Sequence, residues 1–370
     1  MTALPEGDAL LRLPPAAIFS VTARIATFVD TKMDTLVEAE ASRTGVDGET
    51  MHLLVRQIRF EGKGINSYEL VDPSGVKLPP FEAGAHIDIY LNNGMIRQYS
   101  LCNPSFERSR YVIGVLKDEN GRGGSKAVHE RLRAGDLVKI SRPRNHFPLA
   151  RDIRRAVLIA GGIGVTPIKA MAHELEARGV DYEMHYCARN AECAAFGDEL
   201  RQLEGTGRLQ YHFDGGDPRA GLDLGKLLAT PADGTHVYYC GPGGFMKACA
   251  DAASHWPKGT VHFEHFKAPE QPAKAGSGEA GDASGAFEVM IASTGQTVAV
   301  GPSQSIAEAL SEAGVAVATS CCAGLCATCK VRYLEGEVEH NDFILNDDER
   351  GEFLTTCVSR ATSKVLVLDL

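Results

Sequence analysis

The chain has 370 residues, 44% of them hydrophobic and 23% charged, with a formal net charge of −10. That length exceeds a single compact core and predicts two or three domains, while the negative balance, with no basic stripe interleaved with aromatics, excludes a nucleic-acid footprint. No uncharged apolar run approaches the roughly 20 residues that span a bilayer, and MTALPEGDALLRL carries acids and a proline where a signal peptide is positive; a cytoplasmic protein with no membrane partner is expected.

Residues 1–47 form an N-terminal extension. Pro14-Pro15 can open a helix, and Ile18, Val21, Ile25, Phe28, Lys32 and Leu36 then fall roughly on one face. A helix packed on its own protein or a frayed arm is the plain expectation, with a partner surface as the alternative.

Residues 48–150 give short strands between Gly, Asn and Pro turns (MHLLVRQIRF, HIDIYL, YVIGVL, LVKIS), the pattern of a small antiparallel barrel. Arg97-Gln-Tyr-Ser-Leu101 lies on one such strand, and Gly123-Gly124-Ser125 precedes the helical segment KAVHERL. An arginine beside a Gly-Gly-Ser helix start can hold a flavin phosphate, with Tyr99 and Ser100 against the ring system. Taken alone, RQYSL reads equally as a half-exposed strand with a solvated arginine.

Residues 151–267 alternate strand and helix patterns, which predicts a parallel α/β sheet. VLIA runs into GGIGVTP (161–167) and an apolar helix, and VYYC runs into CGPGGFM (240–246) and another. A glycine turn between strand and helix is where a backbone can approach a pyrophosphate, and two at the carboxyl ends of one sheet point to a dinucleotide.

Residues 268–285 (APEQPAKAGSGEAGDASG) have no hydrophobic period and read as a flexible linker, about 18 residues with an r.m.s. span of roughly 20–25 Å. Within 286–370, FEVMIA and TVAV flank a Thr-Gly turn as a hairpin, and Ser305-Ile-Ala-Glu308 opens a short helix as a capping box that Gly314 closes. SCCAGLCATCK (320–330) packs four of the ten cysteines into nine positions. A structural zinc site lacks its second Cys-x2-Cys pair, and a Cys321–Cys322 disulfide does not suit a reducing compartment. Cys321-x4-Cys326-x2-Cys329 with a distant Cys357 is the plant-type [2Fe–2S] spacing. The small residues Ala323, Gly324 and Ala327 let a tight loop wrap the cluster. Cys322 breaks the register and is left as a bystander.

RQYSLCNP, GRGGS, GGIGVTPIKAM, YYCGPGGFM, VHFEHF and the cysteine pattern, in that order, make the chain from about residue 50 onward resemble the phthalate dioxygenase reductase family, which includes vanillate demethylase reductases. The resemblance implies a multi-domain α/β plus β protein: a flavin-binding antiparallel barrel, a nicotinamide-binding α/β domain of ferredoxin-reductase type and a β-grasp ferredoxin domain. It implies electron transfer from NADH through FMN, in preference to FAD, and [2Fe–2S] to a terminal oxygenase protein, with no catalytic acid, base or nucleophile. Carried over by motif, Arg97, Tyr99, Ser100, Leu101, Gly123, Gly124 and Ser125 would meet FMN, and Phe266 would lie near its ring. Gly161, Gly162, Gly164, Thr166 and Pro167 would face the dinucleotide, Cys240, Gly241 and Pro242 the nicotinamide, and Arg189 the adenosine half. Asn190, Ala191 and Glu192 add no second cation for a 2′-phosphate, which favours NADH. Cys321, Cys326, Cys329 and Cys357 would hold the cluster. Cys102, Cys187, Cys193 and Cys249 read as small packing residues.

From Gly285 to Leu370 there are 12 Asp and Glu against 5 Lys and Arg. This is either a solvated face or an electrostatic guide toward a basic acceptor. Two rival readings share the architecture: a reductase for a cytochrome P450 or another monooxygenase, and a flavin/iron–sulfur redox sensor.

Overall fold

The computed structural model describes residues 50–121, 123–267, 285–319 and 321–370. The expected N-terminal helix, Arg122, residues 268–284 of the expected linker and Ser320 lie outside them.

The first module is an antiparallel sheet of seven strands: β1 (Thr50–Gly62), β2 (Ile65–Val71), β3 (Ala85–Tyr90), β4 (Ile96–Ser100), β5 (Tyr111–Leu116), β6 (Leu137–Ser141) and β7 (Arg144–Asn145). Their order is β4-β3-β6-β1-β2-β5, with β7 on β3. A bridge between Leu101 and Ile113 joins the two ends and closes the barrel. Alternation puts Val55, Ile87, Ile89 and Ile113 into a dry interior, where each fully buried side chain contributes roughly 1.5–3 kcal/mol. Helix α1 (Gly124–Arg131) adds Ala127 and Val128 to that core. Strand β2 escapes the sequence pattern because Asn66, Ser67 and Glu69 interrupt its apolar run.

The second module is a parallel sheet of β8 (Arg155–Gly161), β9 (Asp181–Ala188), β10 (Leu209–Phe213), β11 (Thr235–Gly241) and β12 (Val261–His265). The order is β10-β9-β8-β11-β12. Four helices connect these strands: α2 (Val165–Arg178), α3 (Gly197–Gly205), α4 (Leu224–Leu227) and α5 (Gly243–Ala252). The chain winds outward from β8 to β10 and returns to β11 on the other side, so β8 and β11 flank the switch point where such sheets take ligands. β11 is buried along its whole length, as β8 is beyond Arg155, which is why both read as continuous apolar runs. The edge strands β10 and β12 are half polar and carry no such signal.

The third module holds β13 (Phe287–Ile291), β14 (Thr297–Val300), β15 (Lys330–Glu335), β16 (Val338–Glu339), β17 (Phe353–Thr355), β18 (Arg360–Ala361) and β19 (Val365–Leu368). Its main sheet runs β14-β13-β19-β15-β17, with β13 parallel to β19 and the other pairs antiparallel. The expected hairpin forms, with Phe287 opposite Val300. So does the expected capping box: the Glu308 amide donates to Ser305 Oγ at 3.2 Å and the Ser305 amide to Glu308 Oε2 at 2.9 Å. It opens α6 (Ile306–Glu312), whose Ile306 and Leu310 pack on the sheet as in a β-grasp fold. A second box, Asn346 with Glu349, opens α7 (Asp347–Arg350). Among the described residues no helix is long and apolar enough to cross a membrane.

Candidate cofactor sites and the path between them

The cysteine loop folds as two thiol pairs. Cys329 Sγ lies 3.1 Å from Cys357 Sγ. Cys321 is the hydrogen-bonding neighbour of Cys326, and the Leu325 amide donates to Cys321 Sγ at 3.4 Å. In each pair one thiol's hydrogen bond lowers its partner's pKa, Cys321 acting on Cys326 and Cys357 on Cys329. Thiolate character is what iron requires, and two pairs suit two irons. Among the described residues no three His, Cys, Asp or Glu converge as they would on a single ion. Cys322, Gly324 and Ala327 take left-handed backbone conformations. For the two non-glycine residues that costs of order 1–3 kcal/mol each, strain that concentrates at functional loops. Cys322 is exposed, whereas Cys326 and Cys329 are buried.

The two glycine turns meet at the switch point. Gly164, between β8 and α2, lies so close to β11 that a Cβ there would sit 2.7 Å from the Gly241 amide nitrogen and nearer still to the Cys240 carbonyl. The two segments are therefore packed together, with Gly161, Gly164, Thr166, Cys240 and Gly241 buried at the junction and Gly162 half-buried. Thr166 Oγ1 donates to the Ile163 carbonyl at 3.0 Å, which fixes the turn, and Pro167 is buried in the first turn of α2. Pro242 is exposed at the start of α5, and Arg189 is exposed just past the end of β9. Cys240 is fully buried, and burial pushes its thiol pKa up. Cys102 and Cys249 are buried and Cys187 and Cys193 half-buried, in keeping with packing roles.

On the barrel side Arg97 packs against the start of α1. A Cβ on Gly124 would fall 2.6 Å from Arg97 Cδ, so glycine admits the arginine to the helix N-terminus. Gly123 takes φ 82° at the cap, and Ser125 Oγ accepts the Asp118 amide at 3.0 Å. A guanidinium beside a first helical turn fits an anionic phosphate. Tyr99 is half-buried against the barrel core, and burial pushes its pKa up. The Leu101 side chain does not join this group; it is fully buried inside the barrel.

Ser100 links the modules: its Oγ donates to Glu264 Oε2 at 3.3 Å. Glu264 keeps 16% of its side chain exposed, and loss of hydration pushes its carboxyl up to about 8. Its Oε1 lies 4.0 Å from His86 Nδ1. His86 is buried, is pushed down to about 3 by burial and then by Arg144, and finds no hydrogen-bond partner among the described residues. The His86 ring faces His146 at 5.5 Å, and the Cys326 backbone is a hydrogen-bonding neighbour of the His146 ring. A polar chain thus runs from the nucleotide surface to the cysteine loop. Sequence reasoning missed Glu264, His86 and His146. Only Glu264 left a signal, an acid set among aromatics in VHFEHF whose period-2 position opposes Phe263 and His265.

Residues 158–251 match the oxidoreductase NAD-binding domain family, and residues 289–362 match the 2Fe–2S iron–sulfur cluster binding domain family. A solved phthalate dioxygenase reductase, described as a modular structure for electron transfer from pyridine nucleotides to [2Fe–2S], is 41% identical, with a TM-score of 0.65 over 87% of this chain and 98% of its own. This chain belongs to the phthalate dioxygenase reductase family. It is also 51% identical over 335 residues, 90% of this chain and 99% of the relative, to the reductase subunit of a tert-butanol monooxygenase/tert-amyl alcohol desaturase from Aquincola tertiaricarbonis. An intact type IV self-sufficient cytochrome P450 monooxygenase is 36% identical, with a TM-score of 0.77 over 89% of this chain and 43% of that one. As a member of the phthalate dioxygenase reductase family the chain is an NAD-binding, [2Fe–2S] electron-transfer oxidoreductase.

Proposed function

We propose that this chain is the reductase component of a multicomponent Rieske-type oxygenase or demethylase, and that it passes electrons from NADH through FMN and the [2Fe–2S] cluster to a terminal oxygenase protein in the cytoplasm. The observation that carries the reading is the arrangement just described: the cysteine loop lies against His146, one ring away from His86 and the Ser100–Glu264 contact at the nucleotide surface.

FMN, when bound, supplies the conversion of a two-electron hydride donor into single-electron steps, which no side chain can perform. The protein's task is to hold and orient. Arg97 and the amides at the start of α1 neutralise the phosphate, Gly123, Gly124 and Ser125 line it, and Tyr99 and Ser100 bound the ring site with Phe266. Gly161, Gly162, Gly164, Thr166 and Pro167 receive the dinucleotide, Cys240, Gly241 and Pro242 bound its nicotinamide end, and Arg189 meets the adenosine half. Glu264, whose carboxyl burial pushes up to about 8, is neutral at neutral pH and accepts from Ser100 Oγ. Cys321, Cys326, Cys329 and Cys357 would hold the [2Fe–2S] cluster. The domains run 48–150 for FMN, 151–267 for NAD and 286–370 for the cluster, with 1–47 as an extension and 268–285 as linker.

The likeness to the self-sufficient P450 supports a second reading, in which the acceptor is a cytochrome P450. Anaerobic mixing of the NADH-reduced protein with a Rieske oxygenase component and with a P450 separates the two. Faster reduction of the P450 would replace the first reading with the second.

A further inference from the structure

Besides the cysteine loop's contact with His146 of the barrel module, the iron–sulfur module touches the nucleotide module directly. The ring of Phe343 meets the ring of His265, the last residue of β12, with centroids 5.7 Å apart and planes tilted by 60°. His265 stands directly beside Glu264 in sequence but on the opposite face of the edge strand, where it also packs edge-on against Phe263 at 5.3 Å. Phe343 belongs to the segment Asn341–Leu345, which is fastened to the cysteine loop on one side and to the turn beside Cys357 on the other. Its amide donates to the Gly324 carbonyl at 3.1 Å, and Asn341 Nδ2 donates to the Val358 carbonyl, next to Cys357, at 3.2 Å. The turn is stiffened from within by Asp342, whose side chain is buried and accepts the amides of Ile344 and Leu345 at 3.2 and 2.8 Å.

Phe343 is therefore a half-buried ring mounted rigidly on the loop that carries three of the four paired thiols, and it reaches across to the strand that carries Glu264. A phenylalanine offers no hydrogen bond and no charge, so its contribution there is contact and shape. Electron passage between two sites depends on how closely they are held. Along the chain, residues 268–284 separate β12 from the module bearing the thiols, so contacts such as this one bear on how closely the two are held.

We infer that Phe343, through its ring contact with His265, is a positioning residue that seats the cysteine loop against the nucleotide module for intramolecular electron transfer. The inference rests on the proposed function, since it presupposes that electrons arrive at the Glu264 side and leave through the cysteine loop. The reaction served is NADH plus two oxidised clusters giving NAD⁺, one proton and two reduced clusters, and neither ring takes up or gives an electron in that sum.

The test compares the purified holoprotein with Phe343→Ala, His265→Ala, the double variant and Phe343→Trp. The readouts are the first-order rate of cluster reduction after mixing with NADH, the rate of NADH-driven ferricyanide reduction, the visible and EPR spectra of the cluster, and solution scattering. Either single alanine variant should slow cluster reduction about two- to tenfold, the factor by which losing one aromatic pair shifts a docking equilibrium. The double variant should be no slower than the slower single variant. Ferricyanide reduction, drawn from the flavin side, and the cluster spectra should be unchanged, the radius of gyration should rise, and Phe343→Trp should restore the rate. His265→Ala lies outside the iron–sulfur module and carries the test alone if Phe343→Ala loses its cluster. Full-rate cluster reduction in His265→Ala, or additive losses in the double variant, would overturn the inference. A wild-type protein whose cluster is not reduced by NADH would instead overturn the proposed function.

Discussion

Replacing Glu264 by Gln tests the electrostatics of the nucleotide surface without removing a contact shape. The carboxyl holds its proton up to about pH 8 in the folded protein, against about 4.5 in an unfolded chain. Between those two pH values unfolding releases a proton, so this group makes the protein less stable as pH rises, and above pH 8 its contribution levels off. At about 1.4 kcal/mol per pH unit, the upper limit at pH 7 is roughly 3 kcal/mol. The 16% of the side chain left to solvent lowers the working expectation to about 1–3 kcal/mol. Glutamine keeps the acceptor for Ser100 and never ionises. The stability of Glu264→Gln relative to wild type should therefore grow from near zero at pH 4.5 to a plateau above pH 8. Denaturant unfolding of the apoprotein, followed by the fluorescence of Trp256, reports this: Trp256 is the sole tryptophan, packed in the α/β core with its indole N–H on the Leu228 carbonyl at 2.9 Å. A stability difference that stays flat between pH 5 and 8 would refute the protonated carboxyl.

Three further outcomes follow from named contacts. Serine at Cys321, Cys326, Cys329 or Cys357 should abolish bound iron while leaving NADH-dependent reduction of ferricyanide, and Cys322→Ser should keep the cluster spectrum; iron analysis decides both. Gly164→Ala pushes a methyl into the Cys240–Gly241 backbone, where rigid strand atoms cannot yield as a side chain would; it should cost about 1–3 kcal/mol of stability and raise the KM for NADH more than it lowers kcat. The third module's acids outnumber its bases by 12 to 5, so reduction of an external acceptor should slow as ionic strength rises; a salt-independent rate would leave that charge as a solvated face.

Much of this protein was legible because its chemistry demands residue types at fixed offsets. The Cys-x4-Cys-x2-Cys register placed the cysteine loop, and the two glycine turns marked the switch point, because in both a backbone must come closer than any side chain allows. The capping box Ser305–Glu308 and the hairpin at Phe287–Val300 were legible for the same local reason. What escaped were relations set only by tertiary structure. Glu264 meets Ser100 across 164 positions, and no local pattern separates an acid held protonated from one in solvent. His86 reads as an ordinary polar position of a barrel strand until the fold buries it, and Phe343 sits in an acid-rich segment that the sequence marks only by charge. Leu101 travelled with its motif into the expected flavin contacts, but its strand position turns the side chain into the barrel.

If NADH electrons traverse one chain to an iron–sulfur cluster, anaerobic titration of the purified protein with NADH must show it. Iron and labile sulfide should be present in equal amounts with one flavin released as FMN, and NADH should bleach both flavin and cluster absorbance and raise a reduced-cluster EPR signal, with a much weaker response to NADPH. A protein holding zinc instead of iron, or one whose cluster stays oxidised while NADH is consumed, would contradict it.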